Sequence, residues 1–96
     1  MTIKKLTAMP YAQAHIEIDE QGNTYLFSYV TCVASIENGW LKVYGLHSMT
    51  TRKHIGAFCK EYANCYYHTA KTIYNDGYQM NIHTGEIIPV CDTPEY

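Results

Sequence analysis

The sequence is short of charge. Asp, Glu, Lys and Arg make up 17% of its 96 residues, against about 25% in an average soluble domain. Seven Lys and Arg against nine Asp and Glu leave a formal net charge of −2. A chain of this balance does not coat nucleic acid, because such binding rests on neutralising many phosphates. A local basic spot remains compatible with it. Long apolar runs are missing as well. No stretch approaches the roughly 20 residues of a membrane helix. The start, Met1-Thr2-Ile3-Lys4-Lys5-Leu6-Thr7-Ala8-Met9-Pro10, has two lysines but lacks the apolar core of a secretory signal. A cytoplasmic setting away from membranes is expected, with Cys32, Cys59, Cys65 and Cys91 reduced. The six glycines are scattered, so there is no glycine-rich phosphate loop. Repeats, low-complexity tracts and interdomain linkers are also absent.

What is present is an apolar, tyrosine-rich chain. Apolar residues reach 47%, and ten residues are Tyr. Such a composition folds rather than staying disordered. A chain of this length buries roughly 60–70% of its unfolded surface, enough for one modest core. Residues 1–96 are therefore read as a single domain. Residues 1–13 are weakly patterned and interrupted by Pro10, which suggests a loose N-terminal arm with at most a short element before the proline.

From Ala14 the pattern alternates. Ala14, Ile16 and Ile18 share one face of a strand, and His15, Glu17 and Asp19 the other. Asp19-Glu20-Gln21-Gly22 suits a type I turn closed by a left-handed glycine, which opposes Ile16 with Leu26. One long strand is expected from Asn23 to Glu37. Its even positions Leu26, Ser28, Val30, Cys32, Ala34 and Ile36 form the aliphatic side. Its odd positions Tyr25, Phe27, Tyr29, Thr31, Val33 and Ser35 form an aromatic, amphipathic side. Asn38-Gly39 between apolar runs predicts a two-residue type I′ hairpin. That turn pairs Glu37 with Trp40, Ile36 with Leu41 and Ala34 with Val43, and sets Trp40 and Tyr44 beside the aromatic face.

After His47 the period becomes helical. Ile55, Phe58, Cys59, Tyr62 and Ala63 form one stripe, with Ser48, Thr50 or Thr51 available as caps. Tyr66, Tyr67, Ala70, Ile73 and Tyr74 form a second, with Asn64 as cap and Gly77 as stop. The two runs are compatible with one bent helix. Tyr78 to Val90 reads as a small hairpin around His83-Thr84-Gly85, with Pro89 and Pro94 ending regular pairing. The expected order is β-β-β-α-α-β-β. The fold class is α+β, an antiparallel β-meander packed on one or two helices with a small C-terminal hairpin.

Reactive constellations are weak. His54, Cys59, Cys65 and His68 lie within fifteen residues. Only Cys65-x2-His68 has the pair spacing that zinc sites use. The cysteines read better as small buried hydrophobes, and no metal or cofactor is expected. No cysteine occupies a nucleophile turn. Glu17, Asp19 and Glu20 read as a solvated sheet edge rather than a catalytic pair. The expectation is a protein that is not an enzyme.

Two features could bind. At the helix start, free amides with Thr50, Thr51, Arg52, Lys53 and His54 could hold a phosphate or carboxylate. Cations there oppose the helix dipole, a local conflict that points to an anionic partner. The second feature is the aromatic face of Tyr25, Phe27, Tyr29, Trp40 and Tyr44, residue types enriched in interface anchors. Bases also stack on such faces.

Two segments, Leu26-Phe27-Ser28-Tyr29-Val30-Thr31-Cys32-Val33-Ala34-Ser35-Ile36-Glu37-Asn38-Gly39 and Ser48-Met49-Thr50-Thr51-Arg52-Lys53-His54-Ile55-Gly56-Ala57-Phe58, carry a resemblance. The pattern, Tyr-x-Thr-x-Val-Ala-x-Ile then Ser-x-Thr-Thr-x-x-His-Ile-x-x-Phe, resembles a family of small uncharacterised proteins of Firmicutes, their phages and mobile elements. It covers about residues 25–62. The resemblance implies a cytoplasmic accessory protein and supplies no activity. The expected function is thus a non-enzymatic interaction protein that binds and modulates a host or defence-system protein, for example a CRISPR effector. A second copy of the chain is another partner to consider. Nucleic-acid or nucleotide binding through Thr50–His54 and the aromatic face is the alternative.

Overall fold

Alternation in the first half of the chain builds a sheet, and the helical period that follows builds the layer covering it. The computed structural model describes residues 1–46 and 48–90. Seven strands form one antiparallel sheet in sequence order: β1 (Thr2–Lys4), β2 (Ala14–Ile18), β3 (Thr24–Ser28), β4 (Thr31–Glu37), β5 (Trp40–Val43), β6 (Tyr78–Asn81) and β7 (Ile87–Pro89). Between β5 and β6 come α1 (Met49–Phe58), a π-helical segment (Cys59–Ala63) and α2 (Tyr67–Asp76). The class is α+β, with the expected meander, two helices and C-terminal strand pair. No helix among the described residues is long and apolar enough to cross a membrane.

Turn chemistry fixes two registers as expected. Asp19 Oδ1 accepts from the amides of Gln21 and Asn23, at 3.0 and 2.9 Å, and Gly22 takes φ +85°. Ile16 then faces Leu26. Asn38 and Gly39 both have positive φ, as a type I′ turn demands. Glu37 pairs with Trp40, Ile36 with Leu41 and Ala34 with Val43.

The long strand from Asn23 to Glu37 does not exist. It folds back at Tyr29-Val30, giving β3 and β4 as a hairpin. Tyr29 adopts φ 58°, in the left-handed region, and its amide donates to Gln13 O at 2.7 Å. A bulge follows: Leu26 pairs with Ala34 but Phe27 with Cys32, leaving Val33 as the extra residue. The bulge exchanges the expected faces. Val33 enters the core, and Cys32 moves to the side of Phe27.

Two further expectations are corrected. Asn64 does not start the second helix. It ends the π-helical segment in the left-handed conformation, and Tyr66 stands at the N-cap of α2. Gly77 stops α2 at φ 72°, as expected. The first thirteen residues contribute β1 at the sheet edge, and Leu6 is fully buried. Thr7 ties this segment to the helical layer, donating to both carboxylate oxygens of Glu61 at 2.8 and 2.9 Å. Pro94 lies outside the described residues.

The core lies between the sheet and the helices. Ile16, Leu26, Ala34 and Leu41 meet Ile55, Phe58, Ala70 and Ile73 there. Helix α1 packs on β3 and β4, and α2 on β5 and β6. The opposite face of the sheet carries Tyr25, Phe27 and Tyr44.

Candidate binding site

The helix period divides the Thr50–His54 segment. Ser48 caps α1, its Oγ accepting from the Thr51 amide at 3.1 Å. Thr51 and His54 turn inward and are buried, whereas Thr50, Arg52 and Lys53 face solvent. Inside, a polar chain runs from the cap to the sheet. Ser48 Oγ donates to Thr51 Oγ1 at 3.2 Å. Thr51 Oγ1 lies 3.1 Å from Ser28 Oγ, which lies 2.9 Å from His54 Nδ1. The donor order that satisfies each hydroxyl runs Ser48 to Thr51 to Ser28 to His54, with the imidazole neutral. Burial pushes the His54 pKa below its ordinary 6.5. The Tyr29 ring lies 6.3 Å from the imidazole. A hydroxyl beside a neutral imidazole is the raw material of a nucleophile–base pair. Here Ser28 is 3% exposed and His54 1%, which leaves a substrate no approach.

Outside, Arg52 and Lys53 belong to an open groove between α1, α2 and the N-terminal segment. Its volume is about 640 Å³. Ala8, Met9, Met49, Gly56, Ala57 and Tyr67 supply its apolar surface, and Arg52, Lys53, Lys60 and Lys71 surround them. The helices run close at Gly56, where a Cβ would sit 3.4 Å from Tyr67 Cβ, in van der Waals contact. The Tyr67 hydroxyl is buried and has no hydrogen-bond partner among the described residues. None of the lining residues among those described is acidic.

The aromatic sheet face is largely self-satisfied. His15 stacks on Phe27 with ring centroids 4.9 Å apart, and its Nε2 lies 2.8 Å from Glu17 Oε2. Tyr25 donates its hydroxyl to Asp19, and Tyr44 Oη lies 2.7 Å from Ser35 Oγ. Trp40 does not stand on this face as an exposed anchor. It is buried, flanked in the sheet by Glu37 and Asn81. Strand β6 at its side encloses it, a neighbour that the local pattern did not reveal. Tyr29 and Tyr44 remain exposed, but Tyr29 sits in the β3–β4 turn rather than in a strand.

The residues considered for metal are dispersed. His54 bonds Ser28, His68 stacks on Tyr66 at 6.3 Å, and Cys59 is buried beside Cys65. The thiol contact with Cys65, together with burial, holds the Cys59 pKa up. Among the described residues no three His, Cys, Asp or Glu side chains gather closely enough to hold an ion.

Sequence reasoning found Arg52 and Lys53 but missed Lys60, Tyr67, Lys71, Met49 and the Gly56-Ala57 step. A signal existed. Arg52, Gly56 and Lys60 recur every four residues on the side of the helix away from the Ile55–Phe58–Cys59 stripe. No curated protein and no solved structure matches the chain. One family does, over residues 2–79, and that span reaches well beyond the two motif segments. The chain belongs to this family, described as a family of unknown function (DUF8033).

Proposed function

We propose that this chain is a non-enzymatic interaction protein that captures a protein partner through the groove between α1 and α2. One observation carries the reading. Four of the seven Lys and Arg residues surround a single exposed apolar groove. None of the four forms an ion pair among the described residues; the Lys60 ammonium lies 5.7 Å from the Tyr66 ring centroid. Unpaired cations around apolar surface are what a partner with both apolar and acidic groups would satisfy. The closed Ser28–His54 pair supports binding over catalysis. The sheet face bearing Tyr25, Phe27 and Tyr44 is the second docking surface, its side chains already engaged by Asp19, His15 and Ser35. Given the resemblance to phage and mobile-element proteins, a cytoplasmic host or defence-system protein, such as a CRISPR effector, is the first partner to seek. Nucleic-acid binding is the alternative, favoured by the same four cations.

The test is affinity capture of the tagged protein from host lysate, with and without nuclease, read by mass spectrometry. Three forms are compared: wild type, Lys60→Glu with Lys71→Glu, and Tyr25→Ala with Tyr44→Ala. The expected result is one partner that survives nuclease and is lost only with the lysine variant. Loss only with the tyrosine variant would move the site to the sheet face. Loss of all bound material on nuclease treatment would favour nucleic acid.

A further inference from the structure

We infer that the occupant of the groove is an amphipathic helix with acidic flanks, presented by a partner protein. The inference rests on the binding reading above and names the chemistry of the ligand. The groove is built to a helix's dimensions. Arg52 and Lys60 stand about two turns apart, roughly 12 Å along the helix. Between them Gly56 and Ala57 leave a shallow, smooth floor that admits aliphatic side chains. Met9 and Met49, adaptable apolar groups, stand on its sides. A ligand helix with apolar residues at i, i+3, i+4 and i+7 would lay that face on the floor. Acidic residues flanking its stripe would then meet the cations on both sides.

The electrostatics point the same way. Both helices begin at the groove, with Met49 and Tyr67 as their first residues. Their positive dipole ends therefore add to the four side-chain charges. The Tyr67 hydroxyl is a separate observation. It is buried and without a partner among the described residues, on a residue that lines the groove, so a ligand reaches it only by displacing what covers it. A nucleic acid is less well suited, since no exposed aromatic ring lines the groove for a base to stack on. An open groove also fits a helix better than it fits a fatty acyl chain, which asks for enclosure.

The experiment uses the full chain and a fluorescein-labelled probe of about 14 residues, four helical turns. The probe has leucines at i, i+3, i+4 and i+7 flanked by glutamates. Anisotropy titrations compare it with a scrambled peptide of the same composition. The expected result is binding of the helical probe at least about tenfold tighter than the scrambled one. Lys60→Glu with Lys71→Glu should weaken it about tenfold or more, as charge reversal in a complementary interface does. Met49→Glu, at an exposed position, should weaken it similarly. Tyr67→Phe, which removes a hydroxyl shielded from the groove, should leave the affinity within about twofold and the melting temperature unchanged or higher. A general packing defect would instead lower it. Equal affinity for both peptides overturns the inference. So does displacement of the probe by an oligothymidylate or by a saturated fatty acid at equal concentration, each naming a different occupant. The two levels fail separately. Lysate capture lost in the lysine variant together with a probe that does not bind leaves the interaction reading standing and removes the helix. Probe binding with unchanged lysate capture does the reverse.

Discussion

Helix α1 has two faces built from interleaved residues, and they follow opposite rules. The inward face, Thr51, His54, Ile55 and Phe58, is buried, with Thr51 and His54 both hydrogen-bonded to the Ser28 hydroxyl. The outward face, Met49, Arg52, Lys53, Gly56 and Ala57, lines a groove and leaves its cations unpaired. Thr51 and Arg52 are neighbours in sequence, yet one completes the fold and the other stands at the surface. A step of about 100° per residue is the whole cause. A run of polar residues at a helix start is therefore two half-motifs. Its chemistry can be assigned only after the apolar stripe has fixed which half is inside.

Substitutions should separate the faces, beginning with the inward one. Ile55 is fully buried, so Ile55→Ala should cost about 2–5 kcal/mol, measured as a lower urea midpoint. A loss no larger than that of a surface substitution would mean that α1 is not seated as described. His54→Ala comes next. It leaves the buried Ser28 hydroxyl with one partner fewer and should cost about 1–3 kcal/mol. The same residue gives the inward face a pH dependence. Its folded pKa lies below the ordinary 6.5, so the unfolded chain takes up the proton first. This contribution to stability is intact above about pH 6.5 and is lost as pH falls from there toward the folded pKa. Denaturation midpoints of wild type should fall more steeply over that window than those of His54→Gln. Parallel curves would show that the imidazole stays in contact with water.

Local chemistry made much of this architecture legible. Asn38-Gly39 and Asp19 through Gly22 each set a register because their residue types accept positive φ or bond their own turn amides. The stripes Ile55–Phe58–Cys59 and Ala70–Ile73 marked the core sides of two helices. The break at Tyr29-Val30 was hidden because neither residue favours a turn. Tyrosine at φ 58° is tolerated there through tertiary support, including the amide bond to Gln13. The Val33 bulge follows from that break and swaps two side chains across the sheet. The groove was half legible. Arg52 and Lys53 stood out against the helix dipole, but Met9 and Tyr67 come from other segments that only packing brings to α1. Trp40 misled for the same reason. Its covering neighbour, β6, lies nearly forty residues further along the chain.

The smallest expected effect is the most informative about the outward face. Arg52 closes the first turn of α1, where no acidic residue stands. A cation there is unfavourable to the dipole, and an anion is favourable by about 0.3–1 kcal/mol. Its side chain gives back only an exposed 3.4 Å bond from Nε to Leu46 O. Arg52→Glu should therefore leave the melting temperature the same or raise it slightly, most visibly at low salt. The same substitution should weaken capture of an acidic partner. A rise in stability with a fall in binding identifies the cation as held for a ligand at some expense to the fold. A fall in both would return Arg52 to a structural role and leave Lys60 and Lys71 as the charges that matter.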